Sequence, residues 1–153
     1  MIRIQEEDFD VGTEIALMTA DKAMIGGIAA FIGLVRDMAP VEGTDKRINA
    51  MNLEHYPGMT EKKLCEIEAE ANRRWPLDAS LVIHRYGSLK PGDQIVLVTC
   101  ASAHRQAAFE ACQFLIDWLK TEAPFWKLED TDDGTMWVET RDTDKAAAAR
   151  WKK

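Results

Sequence analysis

The chain has 153 residues, of which 46% are hydrophobic and 29% are charged, a size and balance typical of one globular domain with a substantial core. Its formal net charge is −7, and the sequence contains no basic stripe long enough to displace the counterions of a nucleic acid. We therefore expect no nucleic-acid partner. Apolar runs stay well below the roughly 18 residues of a membrane span. Residues 1–8 lack the apolar core of a secretory signal, so we expect a cytoplasmic protein without a membrane partner.

The first part of the chain predicts a short helix, a strand and a polar loop. Asp10 is a suitable N-cap for a helix that ends near Ala20, because its carboxylate can accept from the free N–H groups of the first turn. The apolar run 28–35 predicts a buried strand. Residues 37–46 are polar, and such a loop between ordered elements can close over a ligand.

The middle of the chain predicts three strands and one helix. Residues 48–56 alternate loosely between apolar and polar, which indicates a strand. Thr60 is the expected N-cap of a helix that runs to about Trp75, with its apolar residues along one stripe. Residues 81–86 and 94–101 predict two further strands, joined by a turn that contains Pro and Gly.

The last part of the chain predicts a long amphipathic helix, a hairpin and a short helix. The long helix spans residues 104–121, and the hairpin joins strands 125–130 and 135–140 through an Asp-Gly turn. The short helix starts near Asp142. Strands and helices are mixed without regular βαβ alternation, so we expect an α+β fold in a single domain of residues 1–153.

Three cysteines are present, Cys65, Cys100 and Cys112. Their spacing matches no zinc pattern, and an odd number argues against a disulfide framework. Two of them fall on predicted apolar helix faces and the third in an apolar strand, so we expect all three to be buried small hydrophobic residues. The sequence thus predicts neither a metal site nor a cofactor.

Four potential cations lie around the long predicted helix: His104, Arg105, Lys120 and Lys127. The first turn of a helix carries free N–H groups and partial positive charge, so an arginine there is unfavourable unless an anion is bound. A phosphate or carboxylate would satisfy the N–H groups and both side chains together, which predicts an anion site. The alternative is a solvated helix start with incidental basic residues.

Lys120 suits the C-terminal end of a helix for electrostatic reasons alone, but the apolar turn that precedes Lys127 could shield both amines. A partly desolvated lysine beside other cations has a lowered pKa and becomes a usable base or nucleophile. His104 and Lys120 would be about 24 Å apart at roughly 1.5 Å per helical residue. One small ligand cannot reach both, so we expect either two sites or a pocket shared by two chains.

Arg36 follows the first apolar strand and opens the polar loop, where it could bind an anion or simply be solvated. Cys100, Ser102 and His104 are close in sequence and suggest a nucleophilic hydrolase, although no third orienting group accompanies them. His55 and His84 are single histidines in predicted strands. A single histidine in a strand is more typically a structural residue than a metal-binding or substrate-binding one.

At these residues the chain strongly resembles the large, catalytic subunit of molybdopterin synthase, from about residue 26 to residue 151. Several of the matching segments are long and unusual. The segments are Leu-Glu-His-Tyr-Pro-Gly-Met-Thr-Glu (53–61), Arg-Trp-Pro-Leu (74–77), Val-Ile-His-Arg-Tyr-Gly (82–87), Pro-Gly-Asp (91–93), Ser-Ala-His-Arg (102–105), Ala-Phe-Glu-Ala (108–111) and Lys-Thr-Glu-Ala-Pro-Phe-Trp-Lys (120–127).

The resemblance implies an α/β hammerhead fold with an additional small antiparallel β-subdomain. It also implies a homodimer at the core of a heterotetramer, with a small ubiquitin-like sulfur-carrier subunit at each end. The carrier's C-terminal Gly-Gly thiocarboxylate would enter a pocket of the large subunit. Sulfur would pass from it to cyclic pyranopterin monophosphate, forming the dithiolene of molybdopterin, with no metal and no cofactor required for the step.

The resemblance also implies roles for individual residues. Lys120 matches the family's catalytic lysine, and Lys127 matches a second lysine of the site. The matching substrate-binding residues are Arg36, His104, Arg105 and Arg141. Two departures put single contacts in doubt, because family members often carry lysine at the position of Leu34 and a basic residue at that of Leu128.

Two other classes of function stay open from the residues alone. One is a non-enzymatic adaptor that docks a ubiquitin-like tail without acting on it. The other is the hydrolase described above, which would act on a phosphate-bearing ligand without any protein partner.

Overall fold

Two four-stranded sheets organise the part of the chain that the computed structural model describes, residues 1–36, 48–131, 134–138 and 142–152. The elements are β1 (Ile2–Gln5), α1 (Val11–Thr19), β2 (Gly27–Leu34), β3 (Ile48–His55), α2 (Met59–Arg74), β4 (Ala79–Arg85), β5 (Gly87–Leu89), β6 (Gln94–Ser102), α3 (Arg105–Thr121), β7 (Phe125–Thr131), β8 (Gly134–Val138), α4 (Asp142–Ala149) and a 3₁₀ turn (Arg150–Lys152). Both the expected α+β class and the expected antiparallel β-subdomain are confirmed. The polar loop predicted at 37–46 lies outside the described residues.

The first sheet, here called the helix-covered sheet, has the strand order β1-β4-β6-β2. β1 is parallel to β4, and the other pairs are antiparallel. α2 and α3 pack on one face of this sheet, and α1 packs on the other. The main core lies under α3, where the buried residues from this helix are Ala108, Ala111, Cys112, Phe114, Leu115 and Leu119.

The sequence-based helix boundaries and apolar faces are largely confirmed. Asp10 caps α1, and its carboxylate accepts from the N–H of Thr13 at 2.7 Å. The predicted apolar stripe of α2 was Leu64, Ile67, Ala71 and Trp75. The first three are buried against α3 and the sheet, and Trp75 is partly buried beside them. Periodicity was a reliable guide here because each of these helices buries one face against a single layer.

The second sheet, here called the antiparallel sheet, has the order β5-β3-β7-β8. The predicted hairpin is confirmed, since β7 and β8 pair from Thr131 with Gly134 onward. β5 was not expected, because it has three residues and lies in what the sequence indicates is a turn. Leu89 of β5 is buried with Val35, Met51 and Leu53, and this cluster joins the antiparallel sheet to the end of β2.

The predicted N-cap of α2 is wrong. The cap is Gly58, whose N–H donates to the Glu61 carboxylate at 2.5 Å. Thr60 is instead fully buried inside the first turn, where its hydroxyl accepts from the N–H of Tyr56 at 3.1 Å and donates to the Pro124 carbonyl at 3.3 Å. The threonine therefore ties the start of α2 to the segment that follows α3.

The prediction that residues 28–35 form a buried strand is only partly correct. They form β2, but β2 is an edge strand among the described residues, and its large side chains Ile28, Phe31, Ile32 and Leu34 are 37–52% exposed. Such an apolar run is typical of a central strand. Here it leaves an open edge that exposes apolar side chains.

The expected burial of the cysteines holds for two of the three. Cys100 and Cys112 are buried, whereas Cys65 is exposed on α2. The next residue before it, Leu64, is on the buried stripe, and one helical step of about 100° carries Cys65 away from the core. All three thiols are free. Among the described residues, no helix has the length and apolar character needed to cross a bilayer.

His84 lies where the two sheets meet. Its ring stacks on Phe125 of β7, with 3.7 Å between the ring centroids and 15° between the planes, and its Nδ1 is 2.8 Å from the Arg85 carbonyl. Burial lowers the pKa of His84 to about 4, and the charges of Lys127 and His55 act in the same direction. The imidazole is therefore neutral at physiological pH and acts as a flat packing surface between the sheets.

A substitution at Gly26 should destabilise the start of α3. A Cβ at this position would lie 2.2 Å from the carbonyl oxygen of Ala103, so the backbone before α3 would have to move. We expect Gly26→Ala to lower the free energy of unfolding by about 1–3 kcal/mol, measured by urea denaturation. Gly12→Ala in α1 is the matched control, because its Cβ would meet nothing closer than 3.5 Å and alanine favours a helix by up to about 1 kcal/mol. Equal stability of the two variants would contradict the close approach.

Acid should weaken the sheet junction through His84. The native pKa of about 4 lies below the 6.5 of an unfolded histidine, so the unfolded chain binds the extra proton. Stability from the neutral ring is therefore complete above pH 6.5 and is lost as the pH falls to 4, by up to about 3 kcal/mol. The measurement is the free energy of unfolding of wild type minus that of His84→Gln, at fixed protein concentration. We expect this difference to fall between pH 7 and pH 4, and a difference independent of pH would show that folding does not lower the pKa of His84.

Candidate functional site

α3 separates the predicted site residues into two groups. Its 17 residues extend about 25 Å at roughly 1.5 Å per residue. Only Ala103 and His104 join β6 to α3, so the helix turns back along the strand, and at mid-length the Cys112 thiol lies 3.6 Å from the Val98 carbonyl. The two ends of α3 therefore lie at opposite ends of the helix-covered sheet.

His104 and Arg105 are at the N-terminal end of α3. His104 occupies the N-cap position, but its side chain makes no cap hydrogen bond to the helix, and both side chains are exposed. Gly27, the first residue of β2, lies against the backbone of Arg105. The first turn of α3 contains no acidic residue. This arrangement leaves a cationic surface at the helix start, as an anion site requires.

Lys120 is at the other end of α3, and Lys127 is on β7 directly opposite Leu53. The Lys120 ammonium lies 3.7 Å from the Asp144 carboxylate of α4. Sequence reasoning missed Asp144, because the pairing of α4 with the end of α3 leaves no trace in local sequence. Two aspartates in the first turn of α4 were the one available signal, and they equally suit a helix N-terminus.

The expected shielding of the two lysines is not present in the single chain. Lys120 is 51% exposed and Lys127 is also exposed. Phe125 turns inward onto His84, while Trp126 lies on the face of β7 opposite to Lys127, because successive strand residues alternate. The Pro-aromatic turn thus fixes the start of β7 and does not cover the amines.

Arg36 belongs with the lysines and not with the histidine-arginine pair. It follows Val35, whose N–H donates to the Asp93 carbonyl at 2.9 Å and whose side chain is buried with Met51 and Leu53. Since Lys127 pairs with Leu53, Arg36 and Lys127 lie at the same end of the molecule. Arg141 is outside the described residues.

The alternative nucleophile set is not accessible. Ser102 is fully buried and its hydroxyl donates to the Pro76 carbonyl at 2.8 Å. Cys100 is also fully buried, and its hydrogen bond with Cys112 together with burial raises the pKa of its thiol. Neither group is placed to attack a bound ester, so the geometry argues against the hydrolase.

Curated relatives are similar to this chain over almost its full length. A protein from Ralstonia nicotianae named "Molybdopterin synthase catalytic subunit" is 55% identical over 150 residues, covering 98% of this chain and 83% of that protein. A protein of the same name from Pseudomonas aeruginosa is 53% identical over 151 residues, covering 99% of this chain and 98% of that protein.

A solved structure supports the same relationship. The molybdopterin biosynthesis MoaE protein from Burkholderia ambifaria is 52% identical, with a TM-score of 0.84 over 100% of this chain and 98% of that one. The family model described as "MoaE protein" matches residues 4–122, which include both ends of α3. The chain therefore belongs to the MoaE protein family.

Proposed function

We propose that this chain is the catalytic subunit of a molybdopterin synthase, a sulfurtransferase of molybdenum cofactor biosynthesis. The observation that carries the proposal is the nearly full-length match, at 55% and 53% identity, to relatives of that name. Because the same coverage extends over 98–99% of this chain, we also propose that residues 1–153 act as one domain. Three free thiols suit a reducing compartment, and the cytoplasm is the proposed location.

The proposed partner is a small ubiquitin-like carrier subunit with a C-terminal Gly-Gly thiocarboxylate. The name of the relatives, a catalytic subunit, supports an enzyme with more than one kind of subunit. In each transfer water adds its oxygen to the carrier's carbonyl carbon as the C–S bond breaks, which leaves a carboxylate. The sulfur forms a C–S bond on cyclic pyranopterin monophosphate as a C–O bond at that carbon breaks, and the displaced oxygen leaves as hydroxide or with the phosphate. The sulfur arrives with the carrier, so buried Cys100 and Cys112 need no part in the transfer.

The proposed chemistry is assigned to the C-terminal end of α3. Lys120 acts as general acid or base, or bonds transiently to the carrier's carbonyl carbon, and Lys127 neutralises the charge that develops. Their exposure supports this assignment, since a carrier tail that enters from outside must reach them. Arg36 adds a guanidinium at the same end for the substrate's phosphate, and Arg141 is assigned to the same substrate-binding set.

A complete substrate site needs the other end of α3 as well, and the open edge of β2 offers a route to it. In an antiparallel pairing of two β2 strands about a two-fold axis, Gly27 of one chain lies across from the partner's Leu34. Arg36 then comes beside the partner's His104 and the partner's Arg105, because Gly27 contacts Arg105 within each chain. Such a two-fold is perpendicular to the sheet, so α3 of both copies lies on the same face.

The exposed apolar side chains on both sides of β2 support this homodimer. Ile28 and Ile32 point to the face that α1 covers, and Phe31 and Phe109 are exposed on the α3 face. Leu34 is exposed at the end of β2, after a shift in the strand register. A long apolar edge strand is an aggregation risk unless something covers it. A second copy covers it and simultaneously assembles two composite cationic sites.

Replacement of Lys120 should abolish sulfur transfer without loss of the fold. We expect Lys120→Ala to lower turnover by at least about 100-fold, because a positioned acid-base or covalent group is removed. The assay mixes the chain with thiocarboxylated carrier subunit and cyclic pyranopterin monophosphate and measures the dithiolene product. Lys62→Ala, an exposed lysine on α2, is the matched control and should keep the wild-type rate.

Two outcomes of this assay would overturn parts of the proposal. Near-normal turnover by Lys120→Ala would remove that residue from the mechanism. Binding of the carrier tail by wild type without any product would favour the non-enzymatic adaptor.

Mixed dimers should test whether the site is composite. We expect Lys120→Ala and Arg105→Ala each to be inactive alone. In a dimer with one copy of each, one site carries both substitutions and the other carries neither. After subunit exchange, about half of the dimers are mixed, so we expect about a quarter of the wild-type rate to return.

Absence of activity in the mixed dimers would contradict the composite site. If each site lies within one chain, every site of the mixture carries a substitution and no activity returns. Native mass spectrometry of the mixture verifies that exchange has occurred, so absence of activity is interpretable.

A further inference from the structure

The outer face of the antiparallel sheet carries a second site candidate, remote from sulfur transfer. A shallow depression of about 410 Å³ is lined by Glu54, His55, Tyr56, Trp126 and Trp137, and we call it the aromatic depression. This volume is at the small end of the roughly 300–1,000 Å³ of ligand sites. None of the proposed catalytic or substrate-binding side chains lines it.

Strand register explains why these residues meet. Glu54 on β3 is directly opposite Trp126 on β7, and Tyr56 is two residues further along the same side. Trp137 on β8 is opposite Leu128, which is two residues from Trp126. Alternation therefore places these four side chains on one face of the sheet.

The same alternation separates this face from the lysines. Phe125, Lys127 and Leu53 fall on the other face of the sheet, toward His84 and the core. Apart from His55, which is opposite Phe125, the side chains that line the aromatic depression therefore lie on the face of the sheet away from Lys127.

The chemistry of the lining favours a cation. The rings of Tyr56 and Trp126 are 4.8 Å apart and inclined at 71°, so they form two walls that meet at a corner. The face of an aromatic ring is negative, and cations bind over it within about 6 Å of its centre. Glu54 adds a full negative charge beside Trp126, in a chain whose net charge is already −7. Aromatic walls and a carboxylate together are complementary to a positive group.

The openness of the depression decides what kind of cation fits. Trp126, Tyr56 and Trp137 are 37%, 57% and 58% exposed, so a small free ligand would stay partly in water and bind only weakly, whereas ligand sites usually bury most of their ligand. A side chain presented by another polypeptide does not need such enclosure, because the rest of that polypeptide adds contacts. Guanidinium is planar, stacks on indole and pairs with a carboxylate in a bidentate geometry, which ammonium does not.

We propose that the aromatic depression binds the guanidinium of an arginine side chain from another polypeptide. The arginine stacks on Trp126, with Tyr56 and Trp137 as flanking walls, and pairs with Glu54. The proposal does not depend on sulfur transfer, since it uses no residue of that site.

The test follows the indole N–H signals of the ¹⁵N-labelled chain by NMR during titration with N-acetyl-argininamide. Five tryptophans are present, and Trp75, Trp118 and Trp151 pack against the main core, so they are internal controls. We expect the signals of Trp126 and Trp137 to shift saturably, with a Kd in the millimolar range or below that rises with salt. The uncharged isostere N-acetyl-citrullinamide should bind at least about threefold more weakly.

Variants separate the charge from the aromatic walls. We expect Glu54→Gln to weaken arginine binding at least about threefold, while Glu66→Gln, an exposed glutamate on α2 that changes net charge equally, leaves it unchanged. Trp126→Leu should abolish the shift of Trp137, with spectral dispersion as the check on its fold. If Trp126→Leu fails to fold, Glu54→Gln alone still decides the matter.

Three results would overturn the proposal. If wild type bound N-acetyl-citrullinamide as tightly as N-acetyl-argininamide, charge would play no part in binding. The same conclusion would follow if Glu54→Gln bound N-acetyl-argininamide as tightly as wild type does. Equal shifts of all five indoles would mean non-specific association. Tenfold tighter binding of tetramethylammonium than of argininamide would assign the depression to quaternary ammonium ligands instead.

Discussion

The arrangement of this protein depends on one rigid element, the helix α3, held along the full length of the helix-covered sheet. Its inner face is buried under Leu64 and Ile67 of α2 and against the sheet. Its outer side is held by polar contacts: Asp117, a largely buried carboxylate, accepts from Arg150 at 2.5 Å and from the Trp151 indole at 2.8 Å. A straight helix of 17 residues keeps its ends about 25 Å apart, and packing on several sides prevents it from bending. The separation between its terminal cations is therefore a constant of the fold, and any ligand that needs both must be bound by two chains.

The open edge of β2 offers a way for two chains to bring opposite ends of their α3 helices together. Alone, an edge strand with exposed Ile32 and Leu34 is a liability, since its free backbone groups and apolar side chains invite pairing. The same strand runs alongside α3, so its two ends lie near the two cationic groups. An antiparallel pairing of this edge necessarily joins unlike ends. In the proposed dimer, hydrophobic burial and assembly of an anion site would be the same event, so an acidic chain could gather cations without holding them all in one copy.

Local signals in the sequence predicted most elements, because caps and periodic stripes are decided within one helix or hairpin. Asp10, the stripe of α2 and the hairpin of β7 and β8 are examples. The errors arose where a neighbour decides the outcome. The run 28–35 has the composition of a central strand, and its sequence does not show whether it lies in the middle or at the edge of the sheet. Only the sheet order shows that it is an edge strand among the described residues. Thr60 has a side chain that is common at N-caps, but its hydroxyl donates a hydrogen bond to the carbonyl of Pro124, which is distant in sequence.

In the candidate site, too, the sequence predicted which residues are involved but not the contacts that neighbouring elements make with them. Resemblance predicted Lys120 and Lys127 as site residues, but not that Asp144 would approach Lys120 or that both amines would be exposed. The neutral ring of His84 explains how the lysine end tolerates its charge. Because burial keeps this imidazole uncharged at physiological pH, it adds no positive charge beneath Lys127. Protonation would place a buried cation next to a lysine and loosen the stack with Phe125 at the same time. The residue that joins the sheets is thus also one whose protonation, as the pH falls toward about 4, weakens the packing beside the lysine end.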